Sequence, residues 1–295
     1  MVIKKGREIV NVPLVSIVMP VFNGEKFISE AIESILKQSF EDFELIIIDD
    51  GSEDDTVKII QSFNDKRIVL LHNTHDFIVS LNKGLEYARG KYIARMDSDD
   101  IMDIDRLKIQ HAIMEEESSI TVCGSWMIPF GEGIPRNKII KTLSGLIDFP
   151  IFELLKGNIL FHPTTLIRRD FLSKYRITYE NFEYAEDYKL WIEIAKNDGL
   201  FYIEEQPLLF YRISENQISR IKKEEQRCTV DRIKHELIIY LINHISFKSN
   251  LKLNHLLNEL LNLKDANLII MNDIIQLFDK IFLSLKSSNE LSINH

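Results

Sequence analysis

Apolar and polar positions fall into blocks along the first half of the chain. The run "LVSIVMP" (14–20) is short and rich in β-branched residues, and "FELIIID" (43–49) is a second such run, so both read as strands. Between them, "EKFISEAIESILKQ" (25–38) puts Phe27, Ile28, Ala31, Ile32, Ile35 and Leu36 on one face of a helix. The pattern then predicts a short helix over 56–63, a strand in "RIVLLHN", a helix in "VSLNKGLEYA" closed by Gly90 as its C′ residue, and a fourth strand in "KYIARMD". Strands alternating with helices predict an α/β domain with a largely parallel sheet. Further on, "DRLKIQHAIMEEE" reads as a helix, "ITVCGSWMI" as a strand, and the irregular pattern of 130–161 as loops and short elements over the cleft. "AEDYKLWIEIAKNDG" reads as a helix ended by Gly199, and "FYIEEQPLLFYRI" as two strands broken at Pro207. After about Ser219 the composition shifts toward Leu, Ile, Lys and Asn with helical periodicity, which places a boundary near 220.

By this count Asp49 and Asp50 end one strand, and Asp97 and Asp99 end another. The carboxyl edge of an open α/β sheet is where ligands bind, so both acidic groups are expected at one cleft. The stretch "RMDSDDIMD" holds four aspartates in nine residues. Carboxylates crowded into a cleft lose solvation and repel one another, so a positive ligand is expected there. Two carboxylates one residue apart can hold Mg2+ or Mn2+ through hard oxygen ligands and leave positions open for phosphate oxygens. The alternative is a solvated loop with Asp103 as a helix cap. An EF-hand fits poorly, because Met102 stands where its loop needs Gly.

Other residues carry two readings each. "DDGSEDDT" is a turn relaxed by Gly51, with a Ser or Asp capping the helix near Thr56, yet Asp50 is placed to accept from a base N–H or a sugar hydroxyl. Glu186 and Asp187 open a helix, which the helix dipole favours, and either can serve as a general base. His162 precedes Pro163 and reads as packed or exposed. Arg212 reads as a phosphate contact or a surface residue, and Phe22 and Trp191 as core or ligand platform.

The net charge of -9 argues against a nucleic-acid partner, and Cys123 and Cys228 lack metal-ligand spacing, which fits a reducing cytoplasm. No apolar run is long enough for a signal peptide core or a membrane span.

Taken together, "VSIVMPVFNGEKFISEAIESILKQSFEDFELIIIDDGSEDDT", "LNKGLEYARGKYIARMDSDD", "DRLKIQ", "HPTTLIRRD", "YAEDYKLW" and "YRISENQIS" resemble a family 2 glycosyltransferase over about 14–220. The resemblance implies a GT-A fold, with a mostly parallel central sheet flanked by helices and a helical C-terminal extension. It implies a glycosyltransferase domain over 1–219, with a nucleotide-binding half about 14–126 and an acceptor half about 127–219, followed by the extension 220–295. The implied activity is inverting transfer of a sugar from a nucleotide-diphosphate sugar, most often a UDP-sugar, to a glycan or lipid-linked acceptor in bacterial surface polysaccharide synthesis, with Mn2+ or Mg2+.

By motif, Pro20, Val21, Phe22, Glu25, Asp50, Asp97 and Ser98 match nucleotide-binding positions, with Phe22 able to stack on the base. Asp99 and Asp97 match the metal-binding ends of the DxD motif, and Asp187 matches the catalytic base. Asp100, His162, Glu186 and Trp191 fall to the donor sugar or acceptor. Two departures stand out: Ser214 replaces a His that many relatives carry, leaving a third metal contact unassigned, and "NTHDFIVSLN" has Asp76 near a usual Gly. A non-catalytic sugar-nucleotide or glycan-binding module on the same fold is the alternative, disfavoured by the intact Asp97, Asp99 and Asp187. A nucleotidyltransferase would show a Gly-rich basic loop that "PVFNGEKF" is not.

The tail offers helical stripes such as Ile270, Ile274, Leu277, Phe278 and Ile281. Packing against the catalytic domain or a second subunit is the leading reading. Peripheral contact with the inner membrane face through residues such as Lys248, Lys252, Lys264 and Lys280 competes with it.

Overall fold

The computed structural model describes residues 12–131, 133–134, 138–214 and 221–244. The apolar runs of the first hundred residues form β1 (Val15–Val21), β2 (Phe43–Asp49), β3 (Ile68–His72) and β4 (Tyr92–Arg95). Every residue of β1 and β2 is buried, which is why these runs are continuous rather than alternating. The polar exceptions are tied off: the Ser16 hydroxyl donates to Glu44 at 2.7 Å, and Glu44 pairs with Arg89 at 2.6 Å. Helices α1 (Ile28–Leu36), α2 (Thr56–Ser62) and α3 (Phe77–Tyr87) make the crossovers. Ile28, Ala31, Ile32 and Ile35 of α1 enter the same core as Ile17, Met19 and Val21 of β1.

β1 pairs in parallel with β2 and with β4, and β2 with β3. With β5 (Ile101–Met102), β6 (Ile120–Phe130), β8 (Leu166–Arg168) and β9 (Leu200–Arg212), the sheet order is β3-β2-β1-β4-β8-β6-β9-β5, so the winding reverses at β1 and opens a crevice at the carboxyl ends of β1 and β4. Pro20 is tolerated inside this central strand for a geometric reason. The Val18 carbonyl accepts from Met96 N–H, and alternation turns residue 20 to the same side, where the register with β4 has already ended at Arg95.

The remaining elements are β5 (Ile101–Met102), α4 (Arg106–Glu116), β6 (Ile120–Phe130), β7 (Gly145–Ile147), α5 (Pro150–Lys156), a 3-10 turn (His162–Thr164), β8 (Leu166–Arg168), α6 (Arg169–Tyr175), α7 (Glu186–Lys196), β9 (Leu200–Arg212) and α8 (Lys223–His244). β4–β8, β8–β6 and β5–β9 run antiparallel, so the parallel arrangement covers one half of the sheet and not the other.

Two expectations change. Pro207 does not break the strand: β9 is continuous, and its register with β5 uses Leu209 and Phe210, beyond the proline. Gly90 is not the C′ residue of α3, whose C-cap is Ala88. A Cβ there would lie 2.7 Å from Ser16 N and 2.9 Å from Tyr92 O, so the glycine serves a close strand crossing. The segment 130–161 holds the short elements expected of it, β7 and α5, with Pro150 in the first turn of α5.

Two compact units interleave along the chain. One holds the sheet and takes in the residues up to Leu146, Leu160–Tyr179 and Phe201–Ser214; the other takes in Ile147–Ile159, Glu180–Leu200 and the chain from Glu215. In the second unit Tyr188 Oη donates to the Leu154 carbonyl, and Lys189 Nζ lies 2.9 Å from Glu193 and 3.2 Å from Glu236. Ile233, Leu237, Ile238 and Leu241 of α8 are buried. The stripe expected at Ile270–Ile281 and the lysines from Lys248 on lie outside the described residues. Among the described residues no helix is long and apolar enough to cross a membrane.

Candidate functional site

Phe22, Asp50 and the Met96–Asp100 loop follow β1, β2 and β4 and so share one edge of the sheet unit. Asp50 is 4% exposed, and its Oδ1 accepts from Ser80 Oγ at 2.8 Å, Asp76 N–H at 2.9 Å and Asn73 Nδ2 at 3.0 Å. Asp76 in turn caps α3, its carboxylate accepting from Val79 N–H at 3.0 Å. Gly51, at φ +88°, makes the turn away from the strand. Phe22 is 45% exposed and packs on the His75 ring at 4.2 Å, presenting aromatic surface at the crevice. Pro20 and Val21 are buried within β1.

The loops after β1 and β2 interlock. Asn23, Gly24 and Glu25 donate their N–H groups to Ser52 Oγ, Thr56 Oγ1 and Asp54 Oδ2, while Glu25 Oε2 accepts from Asp55 N–H at 3.1 Å. Glu25 therefore has a structural task in addition to any ribose contact. Asp54, and not the N-cap residue Asp55, accepts from the Thr56 N–H of α2. Ser98 Oγ stands 3.7 Å from where a Cβ on Gly24 would be, which places the acidic loop against the β1–α1 turn.

In that loop, ligand atoms of Asp97, Asp99 and Asp100 lie within 4.8 Å of one another. Asp97 Oδ1 pairs with Arg95 at 2.6 Å. Burial first, then the neighbouring Asp97 charge, pushes the Asp99 carboxyl up to about 6, and the same causes hold Asp100 well above the carboxylate range. Asp100 is fully buried: Oδ1 accepts from the Arg212 backbone N–H at 2.8 Å, and Oδ2 has no hydrogen-bond partner among the described residues. An unpartnered buried carboxylate oxygen among two more carboxylates is the donor set of a divalent cation, so the residues fit Mn2+ or Mg2+.

Asp103 does not cap α4 directly; its Oδ1 accepts from the N-cap residue Asp105 at 3.0 Å. Arg106, fully buried, supports the loop from below. It donates to the carbonyls of Pro163, Arg95 and Thr165 at 2.6, 3.0 and 3.2 Å, and burial pushes its pKa down to about 9. Arg212 is no free phosphate contact: its Nε donates to the Asp99 carbonyl at 2.6 Å and its terminal nitrogen pairs with Glu30. The tasks of Arg95, Arg106 and Asn73 escaped the sequence reading, because "KYIAR" and "DRL" place a basic residue beside acids without revealing which carbonyls it meets.

His162 belongs to the sheet unit but is buried, its Nε2 2.8 Å from Tyr179 Oη, and burial holds its pKa well below the ordinary histidine value. Glu186, Asp187 and Trp191 belong to the second unit. Asp187 is half-buried in the first turn of α7, and its Oδ2 accepts from Asn158 Nδ2 at 2.8 Å. Glu186 is buried beside it. Trp191 is 0% exposed, because the face of α7 that carries Tyr188, Ile192 and Ala195 points into the core; it offers no surface to a sugar in this structure.

Comparison with known proteins completes the picture. Residues 16–176 match the family model for Glycosyl transferase family 2. An uncharacterized glycosyltransferase of Haemophilus influenzae is 35% identical over 248 residues, 80% of this chain and 76% of that protein. The Escherichia coli UDP-Glc:alpha-D-GlcNAc-diphosphoundecaprenol beta-1,3-glucosyltransferase WfgD is 32% identical over 241 residues, 79% of this chain and 92% of that one. Among solved structures, S. aureus TarS 1–349 in complex with UDP-GlcNAc superposes with a TM-score of 0.59 at 21% identity, covering 76% of this chain and 71% of that one. The sheet is that of the GT-A glycosyltransferases, and with the family match running from β1 through the acidic loop to α6, the chain belongs to glycosyl transferase family 2.

Proposed function

We propose that the protein is an inverting glycosyltransferase that moves a sugar from a UDP-sugar to a hydroxyl of a glycan or lipid-linked acceptor in bacterial surface polysaccharide synthesis. The observation that carries the reading is the acidic loop, with three convergent carboxylates and the unpartnered Asp100 Oδ2. The names of the relatives support the donor and acceptor classes: WfgD takes UDP-Glc and a diphosphoundecaprenol-linked acceptor, and TarS binds UDP-GlcNAc.

Asp97, Asp99 and Asp100 would hold Mn2+ or Mg2+, with Asp100 taking the place left open by Ser214. The cation supplies positive charge to a departing diphosphate. Phe22 offers its exposed ring to the base, and Asp50, its Oδ1 fixed by three internal donors, keeps Oδ2 for a base N–H. Asp187 accepts the proton of the acceptor hydroxyl as that oxygen attacks the anomeric carbon, and Asn158 holds the carboxylate in one orientation for this step.

Asp187→Asn tests the assignment. Turnover is expected to fall by about 10²-fold or more with UDP affinity nearly unchanged, as for loss of a general base. Wild-type turnover in that variant would place the base elsewhere.

A further inference from the structure

We propose that Arg212 is a positioning residue for the acidic loop: it fixes Asp99 and Asp100 so that three carboxylates converge on one cation. The inference rests on the cation-site reading above.

The antiparallel register of β5 with β9 sets Ile101 against Phe210, and continuing it sets Asp99 against Arg212. At that place the backbone N–H of Arg212 donates to Asp100 Oδ1 at 2.8 Å, and its Nε–H donates to the Asp99 carbonyl at 2.6 Å. One residue therefore holds both the Asp99–Asp100 peptide link and the Asp100 carboxylate. β5 has two residues, so little else in the ladder restrains the loop that precedes it. The guanidinium is itself fixed from three directions. It lies over the Phe27 ring at 4.2 Å and over the Phe130 ring at 4.5 Å, and it pairs with Glu30 of α1. Its side chain is 13% exposed. Phe130 is held in turn, its carbonyl accepting from Ile213 N–H at 2.8 Å.

This task requires arginine. A planar cation can stack on two rings while its Nε–H points along the plane to a carbonyl, and a lysine ammonium offers neither the plane nor the fork. The positive charge also offsets repulsion among the three carboxylates while its Nε–H and one terminal nitrogen engage the Asp99 carbonyl and Glu30.

The test is Mn2+ binding to the full-length protein in the presence of UDP, read from the free-Mn2+ electron paramagnetic resonance signal, with thermal unfolding and kcat in parallel. Arg212→Lys keeps the charge and loses the fork. Its Mn2+ affinity is expected to fall about 10–100-fold, as when a group orienting a metal ligand is removed, with kcat falling alongside. Phe130→Leu removes one wall of the stack without touching an acid and is expected to shift affinity in the same direction by less. Asp99→Asn is the control and should abolish UDP-dependent Mn2+ binding. If Asp99→Asn loses binding while both other variants bind as wild type, the positioning role is overturned and the cation reading stands. A lowered Tm with unchanged Mn2+ affinity in the folded protein overturns it equally. If wild type binds no Mn2+, or Asp99→Asn binds as wild type, the cation reading falls and the inference with it. Should Arg212→Lys fail to fold, Phe130→Leu decides alone.

Discussion

Asp100 gives one carboxylate oxygen to the Arg212 N–H and keeps the other buried without a hydrogen-bond partner among the described residues, a state that costs free energy. The sequence shows the four acids of "RMDSDDIMD" but not this division of labour among them. Gly90 makes a similar point from the opposite side. Its place in the sequence suits a helix cap, whereas its structural task is to let backbone pass backbone beside Ser16 and Tyr92. A methyl group there meets backbone atoms at 2.7 to 2.9 Å that cannot rotate away. Gly90→Ala is therefore expected to destabilise the fold by about 1–3 kcal/mol, the usual cost of overpacking, seen as a lower urea midpoint at unchanged slope.

At the scale of elements, α3 connects stability with the site. Asp76 caps it through Val79 N–H while its own N–H donates to Asp50, so the helix start and the Asp50 carboxylate form one assembly. Asp76→Ala keeps the backbone donor and removes the cap. A loss of about 1 kcal/mol in unfolding free energy is expected, together with weaker UDP binding by calorimetry because the Asp50 turn loosens. The elements read correctly were those with strong period or continuous burial, such as β1, β2, α1 and α7. Those read incorrectly depended on a neighbour: Pro207 stays in β9 because β5 pairs only beyond it, and Gly90 answers to the strand that crosses it.

For the whole molecule, pH dependence follows from buried ionisable groups. His162 has a depressed pKa in the fold, so on acidification below its ordinary value of 6.5 the unfolded chain takes up the proton first and stability is lost. Asp99 and Asp100 act in the opposite sense. Both carboxyls are raised above the ordinary 3.8, Asp99 to about 6, so the fold takes up these protons before the unfolded chain does, which adds stability as pH falls. The informative quantity is thus a difference. His162→Gln should unfold at nearly the same urea midpoint as wild type at pH 7.5 and become relatively more stable as pH drops through 6.5. Parallel midpoint-against-pH curves for the two proteins would show that His162 does not carry this dependence.

The sequence by itself determined the α/β alternation, the placing of acids at strand ends and the family, because hydrophobic period and motif spacing are local properties of the chain. Tertiary structure decided which oxygen of each carboxylate is spent and which is kept, that Arg212 grips the acidic loop across 112 positions of sequence, and that Trp191 and His162 are enclosed in the core. These depend on register and packing between distant segments. A side chain's identity fixes which bonds it can make, and only the fold fixes which partner stands within reach.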